Sequence, residues 1–149
     1  MAADDIAYGD FGWRLPIQTR WADMDAYGHV NNMAFYGFID TAVTAYLVKQ
    51  AGHDQDTATA IGLVVESGCQ YFKPLTFPDV VDCGVRVAKL GRSSVRYEVG
   101  MFVGAAPEAV ALGFFVHVFV DRVTMRPTVL PANIRGALEP LLWTPPSSC

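Results

Sequence analysis

Residues 21–50 read WADMDAYGHVNNMAFYGFIDTAVTAYLVKQ, a polar loop that runs directly into a long apolar segment. The segment 33–50 has apolar or small residues on almost every helical face, interrupted only by a narrow polar stripe. This pattern predicts a helix that is buried on most of its faces. Counted from Asn32, the helix has about 19 residues and a length of roughly 28 Å. Gly52 is a natural stop, because glycine readily adopts the left-handed conformation that ends helices.

Strand-like segments lie on both sides of this helix. One precedes it and four follow it, at 14–20, 61–72, 80–90, 94–103 and 109–121. Segments 80–90 and 94–103 alternate apolar and polar residues, which is typical of strands with one buried face. Segment 109–121 is apolar on both faces, so we expect a central strand that is covered twice. Short connections predict that the four later strands are antiparallel neighbours.

The order of these elements predicts an α+β fold in two layers, with an antiparallel sheet curled around one buried helix. A last amphipathic helix can begin at Pro131, since proline is favoured at helix starts. The length of 149 residues fits a single domain spanning 1–149. We expect residues 1–12 to form a loosely ordered N-terminal segment.

The composition excludes several classes of protein. Hydrophobic residues make up 52% and charged residues 17%, which suggests that some surface is hidden in an oligomer. A net charge of −4 gives no support for nucleic-acid binding. No apolar run reaches the roughly 18 residues that a membrane span needs. The start has no secretory signal. Three widely spaced cysteines without a C-x-x-C motif predict neither a disulfide framework nor a zinc site. Together these features predict a cytoplasmic location.

Two metal-dependent functions are suggested by the acidic loop before the helix, and the sequence argues against both. Asp23, Asp25 and Gly28 occupy positions one, three and six of a possible calcium loop. Tyr27 at position five and Ala34 at position twelve, however, leave that loop without its bidentate glutamate. A phosphoryl-transfer aspartate would follow a hydrophobic strand and need a phosphate-binding or magnesium-binding motif, and neither is found.

Acyl-group hydrolysis and helix capping both explain the loop in part. Asp25 lies just before the start of the buried helix, whose first amides are unpaired and carry partial positive charge. Those amides could stabilise a carbonyl oxygen, while Asp25 attacks the carbonyl or deprotonates a water. Gly28 would let the backbone approach a ligand closely. Asn31 and Asn32 are good helix caps, and capping alone leaves the Asp, Gly and His unexplained.

The stretch WADMDAYGHVNNMAFYGFID resembles the signature of the 4-hydroxybenzoyl-CoA thioesterase-like branch of the hotdog-fold superfamily. Three further motifs extend the resemblance over most of the chain, in the family's order: QYFKPLTFPD, KLGRSSVRYE and VFVDRVTMRPTVLP. The resemblance implies a hotdog fold, in which a curved antiparallel sheet wraps one long central helix. It also implies a cofactor-free acyl-CoA thioesterase without a metal, built as a homodimer or homotetramer.

Catalytic roles follow from the same resemblance. It implies that Asp25 is the catalytic carboxylate, as nucleophile or general base, and that the amide near Asn32 polarises the thioester carbonyl. His29 matches a histidine of the related plant acyl-carrier thioesterases, in which an asparagine stands where this chain has Tyr27. A catalytic His29 and one that bonds the loop backbone therefore both stay open. We expect Asp23 to orient the loop or to pair with a neighbouring arginine.

Substrate-binding residues are expected around the catalytic ones. Basic side chains at turns can pair with the phosphates of CoA, although exposed basic residues at turns are common. Tyr36 is a candidate for the wall of an acyl pocket, and the hairpin motif contributes a serine. The predicted substrate-binding residues are Gly28, Tyr36, Lys73, Lys89, Arg92 and Ser93.

Two other functions are compatible with the same fold. One is a module that binds acyl-CoA without turnover, and the other is a thioesterase for acyl groups on acyl carrier protein (acyl-ACP). The acidic balance of the chain argues against an acidic carrier protein as partner. The identity of the acyl group depends on contacts that the sequence does not reveal.

Overall fold

The computed structural model describes residues 2–147 and contains a five-stranded antiparallel sheet and one long helix. The strands are β1 (Trp13–Gln18), β2 (Ala60–Tyr71), β3 (Val80–Leu90), β4 (Ser94–Val103) and β5 (Ala111–Asp121). The helices are α1 (Asn32–Ala51) and the short α2 (Ala132–Leu138). All predicted elements are present, and the α+β fold with a curved sheet around a central helix is confirmed. The single-domain boundary stays a prediction, and Cys149 lies outside the described residues.

The order of the strands corrects one prediction. The sheet runs β1-β3-β4-β5-β2, so β2 pairs with β5 and does not lie beside β3. The connection 72–79 contains Pro74 and Pro78, which cannot donate ladder hydrogen bonds, and it buries Leu75. It therefore crosses the end of the sheet instead of forming a hairpin. As a result β2 is an edge strand and β5 an inner one.

The core lies between α1 and the face of the sheet that it contacts. The predicted alternation is confirmed, since the odd-numbered residues Val81 to Val87 of β3 are fully buried. The side chains that α1 buries are Phe35, Phe38, Ile39, Ala42, Val43, Tyr46 and Leu47. The opposite face of β5 is less well covered than predicted, because Phe114, Val116 and Val118 are only half-buried. No helix within residues 2–147 is long and apolar enough to cross a membrane.

Chain ends cover part of the outer face of the sheet, which the sequence did not predict. Arg86 alternates as an outward residue, yet only 1% of it is exposed. Its guanidinium bonds Glu98 at 2.9 Å and lies 3.5 Å from the centre of the Trp143 ring. Ile6 and Phe11 are also buried here, although we expected a loosely ordered segment. Alternation predicts which face a residue occupies, but it does not predict what later covers that face.

Candidate active site

The loop between β1 and α1 is held in place by hydrogen bonds to the segment that follows β2. Val30 N–H donates to the Leu75 carbonyl at 2.7 Å, and Thr76 Oγ1 donates to the Gly28 carbonyl at 3.2 Å. Gly28 has a φ of 78°, a conformation that other residues adopt only with strain. The crossing connection after β2 therefore positions the loop.

Asp25 is half-buried, and its carboxylate has a defined orientation. Oδ1 accepts the backbone N–H groups of Tyr27 at 2.8 Å and His29 at 3.3 Å. The Asp25 N–H also donates to the His29 carbonyl at 2.7 Å. Within residues 2–147, no hydrogen-bond donor is found for Oδ2. One carboxylate oxygen is thus anchored by the loop and the other is available for chemistry.

The start of α1 leaves one backbone amide unpaired, at a residue that lines the same cleft as Asp25. Asn31 is the N-cap, and its side chain accepts the Met33 N–H at 2.9 Å. The Ala34 N–H donates to the Asn31 carbonyl. The Asn32 N–H, the first of the helix, has no acceptor among the residues that the structure describes. Because helix starts carry partial positive charge, this amide can polarise a carbonyl oxygen.

A cleft of about 360 Å³ brings the predicted catalytic residues together. Its lining consists of Asp25, His29, Val30, Asn32, Phe35, Tyr71, Phe72, Lys73 and Pro74. The His29 imidazole is exposed and makes no hydrogen bond within the described part of the chain, so its catalytic role stays a prediction. Lys73 also lies here, with its ammonium 3.4 Å from the Glu108 carboxylate. Gly28 belongs to the same loop, and Tyr36 lies one turn beyond Asn32.

A larger cleft of about 640 Å³ lies on the other side of the start of α1. It is lined by Asn31 and by the Arg20–Asp23 pair but includes neither Asp25 nor His29. Asp23 is 7% exposed and bonds Arg20 at 2.7 Å, and this hydrogen bond holds the pKa of Asp23 below its usual range. The predicted pairing of Asp23 is confirmed. Both members of this acid–base pair are already engaged, whereas the smaller cleft contains the Asp25 carboxylate and the unpaired Asn32 amide.

Tyr71 was missed by the sequence analysis. It lies at the end of β2, lines the smaller cleft, and its hydroxyl donates to the Asn32 carbonyl at 3.2 Å. Partial burial, followed by the nearby Cys69 and Tyr36 side chains, raises the pKa of Tyr71 to about 12, although 43% of the residue is exposed. The signal in the sequence was the tyrosine of the QYFKP motif, which alternates with Cys69 on the helix-facing side of β2.

Three predicted substrate-binding residues, Lys89, Arg92 and Ser93, lie at the opposite end of the sheet. Ser94 pairs with Val118 on β5, whereas Tyr71 pairs with Ala111. Seven positions along one strand separate the two pairs by roughly 23 Å. A single chain therefore does not bring this hairpin to Asp25. Among residues 2–147, no group of three or more His, Cys, Asp or Glu side chains is placed to hold a metal ion.

Comparisons with known proteins agree with this fold. The family model of the thioesterase-like superfamily matches residues 19–138. The PA5185 protein from Pseudomonas aeruginosa strain PAO1 is 47% identical over 93% of this chain and 96% of that one, with a TM-score of 0.90. The PA2801 protein from Pseudomonas aeruginosa, a proposed thioesterase, is 31% identical over 83% and 95% of the two chains, with a TM-score of 0.77.

A third solved structure is a thioesterase from Thermus thermophilus in complex with coenzyme A and Zn. It is 30% identical over 87% of this chain and 98% of that one, with a TM-score of 0.73. A search of curated proteins found no match to this chain. The three solved structures are each similar to this chain over at least 95% of their own length.

Proposed function

The chain belongs to the thioesterase-like superfamily, whose general chemistry is thioester hydrolysis, and we propose that its substrate is an acyl-CoA. The products are a carboxylic acid and free CoA. One observation carries the proposal: an anchored Asp25 carboxylate and the unpaired Asn32 amide line the same cleft. Hydrolysis of a carbonyl compound needs such a base or nucleophile next to an oxyanion donor.

Each group has a role in the reaction. The thioester carbonyl oxygen accepts the Asn32 N–H, which stabilises the charge that develops there. The free oxygen of Asp25 then follows one of two routes. It either attacks the carbonyl carbon to form an anhydride that water opens, or it takes a proton from a water that attacks in its place. CoA leaves as a thiolate, and because thiols are far more acidic than alcohols (a cysteine side chain has a pKa of about 8.5), little acid assistance is needed.

The walls of the cleft suit a CoA thioester. Val30, Phe35, Phe72 and Pro74 provide apolar surface for an acyl group. Lys73 adds a positive charge at the rim, where a phosphate or carbonyl of CoA can bind. The related Thermus thioesterase was solved with coenzyme A, which supports CoA as the leaving group.

A homodimer is part of the proposal, because β2 is an edge strand that exposes apolar side chains, although it has one bulge between Val64 and Glu66. It is a 12-residue strand without lysine or proline, and it exposes 36% of Leu63, 51% of Val64 and 61% of Val65. Such edges pair with another strand unless they are covered. A two-fold axis through the middle of β2 would place the end of this β2 beside the start of the partner's β2.

That pairing would also complete the substrate site. The hairpin of the partner, with its copies of Lys89, Arg92 and Ser93, would lie three strand spacings away, or roughly 14 Å. It would then be closer to Asp25 than the hairpin of the same chain. A homotetramer would in addition cover the half-buried outer face of β5. A monomeric mass in sedimentation experiments at micromolar concentration would contradict this arrangement.

The test of the chemistry is thiol release from a panel of short, long, branched and aromatic acyl-CoAs. Asp25→Asn keeps the size of the side chain but removes the carboxylate, so we expect kcat to fall by a factor of about 10³ or more. Asp56→Asn is the matched control, since Asp56 is exposed in the loop after α1. Turnover near the wild-type level in Asp25→Asn would overturn the mechanism.

The same assay separates the alternatives. Acyl-CoA binding by the wild type, detected as a rise in Tm, without thiol release would indicate a binding module. Faster turnover of acyl-ACP than of the matching acyl-CoA would indicate a carrier-protein thioesterase.

A further inference from the structure

We propose that Tyr71 is a positioning residue, which holds the start of α1 so that the Asn32 amide meets the substrate carbonyl. The inference rests on the proposed function, because it concerns the oxyanion donor of that site. Tyr71 would act through Asn32 and would not take part in proton transfer.

The connection between β2 and the helix start carries this inference. The Tyr71 hydroxyl donates to the Asn32 carbonyl at 3.2 Å, across 39 positions of sequence. Within residues 2–147, it is the one hydrogen bond from β2 to the backbone of α1, and the Tyr36 and Cys69 side chains lie near the same hydroxyl. Since the carbonyl and the amide of Asn32 share one Cα, fixing the carbonyl also restricts where the amide can lie.

The other restraints on this amide are local. The Asn31 side chain caps the Met33 N–H, and the loop is bonded to the 75–76 segment. None of these restraints ties the first turn of the helix sideways to the strand that forms the cleft wall. Without the Tyr71 bond, the helix start would be held against β2 by side-chain packing such as that of Phe35 on the Tyr71 ring, which fixes the backbone less tightly. A shift of about 1 Å at a catalytic group can cost up to 100-fold in rate.

The chemistry of the phenol suits a permanent restraint. Burial and neighbouring groups raise the pKa of Tyr71 to about 12, so its hydroxyl remains a donor over the whole working range of pH. The ring itself packs edge-on against Phe35 at 5.0 Å. A phenylalanine would keep that packing and the apolar wall of the cleft, and would lose only the hydroxyl, with its bond to Asn32 and its contacts with Tyr36 and Cys69.

Tyr71→Phe and Tyr46→Phe form a matched pair of variants. The Tyr46 hydroxyl donates to the Ala137 carbonyl and so makes the same kind of bond near the other end of α1. Each variant should lower Tm by about 2–6 °C, because each loses one hydroxyl–carbonyl bond. Only Tyr71→Phe should lower kcat, by about 5–10-fold, with KM within about twofold of wild type.

Hydrogen–deuterium exchange provides a readout that does not depend on turnover. We expect residues 31–36 to exchange several-fold faster in Tyr71→Phe, and at the wild-type rate in Tyr46→Phe. An unchanged kcat, a change in KM alone, or an equal loss of kcat in both variants would overturn the inference. If the wild type hydrolyses no acyl-CoA, the proposed function fails, and unchanged exchange in Tyr71→Phe would separately exclude the restraint.

Discussion

At each end of α1 an asparagine side chain bonds the helix backbone, but the two ends differ in what lies beside them. At the C-terminal end, Gly52 ends the helix with a φ of 65°, and the Asn133 side chain donates to the Ala51 carbonyl at 3.0 Å. At the N-terminal end, the Asn32 amide has no acceptor within the described chain, and a cleft lies open beside it. A cleft borders the C-terminal end as well, but the cleft at the N-terminal end combines an unpaired backbone N–H with the Asp25 carboxylate.

This difference indicates where stability and chemistry reside. The C-terminal end is covered by α2, which buries Ile134 and Leu138 against the core. The N-terminal end depends on a short loop and on the segment that crosses from β2 to β3. We therefore expect changes near the C-terminal end to alter folding free energy, and changes near the N-terminal end to alter turnover.

The largest expected effect on stability concerns His117, a core residue of β5. It is 8% exposed and packs against the rings of Tyr97, Phe115 and Phe119. Burial, with a smaller contribution from His53, lowers its pKa from 6.5 to about 4. The unfolded chain thus binds more protons between these two values. Stability is complete above about pH 6.5 and falls by about 3 kcal/mol as the pH drops to 4.

Urea unfolding of the wild type and of two histidine variants, each at pH 7.5 and pH 4.5, tests this prediction. His117→Leu cannot ionise, so its stability should differ less between the two pH values than that of the wild type, by about 2–3 kcal/mol. His29→Gln is the control, because His29 is exposed at the cleft and its imidazole makes no bond within residues 2–147. An equal acid sensitivity of wild type and His117→Leu would show that His117 does not control it.

The sequence predicts a structural feature well when that feature depends on residues that are close together along the chain. The extent of α1 and the buried faces of β3 and β4 follow from periodicity, because each residue's neighbours along the chain determine its face. The loop and Asp25 are likewise contiguous in sequence, and the structure brings them together with Asn32.

Predictions that depend on distant contacts were less successful. The β2–β5 pairing is set by a crossing segment whose path no local pattern shows. The bond from Tyr71 to Asn32 spans 39 positions, and the burial of Arg86 depends on both chain ends. The hairpin with Arg92 was assigned to the site by its chemistry alone, although strand register places it at the other end of the sheet.

Smaller effects are expected from replacing two asparagines whose side chains bond the two ends of α1, Asn31 at its start and Asn133 of α2 at its end. Asn31→Ala removes the acceptor for the Met33 N–H, and Asn133→Ala removes the donor to the Ala51 carbonyl. Each should lower the free energy of unfolding by about 1 kcal/mol, the usual cost of a lost cap or hydrogen bond. Only Asn31→Ala should also lower kcat, because it loosens the turn that presents the Asn32 amide.

Chemical unfolding and thiol release, measured on the same preparations, separate the two asparagines. Asn133→Ala should keep the wild-type kcat per folded molecule, even though its stability falls as much as that of Asn31→Ala. If both variants lose kcat in proportion to stability, the two ends of α1 act as one unit and the proposed division is wrong. If Asn31→Ala loses stability but keeps kcat, the Asn32 amide is positioned without its cap. The Tyr71 bond and the loop would then be sufficient to hold it.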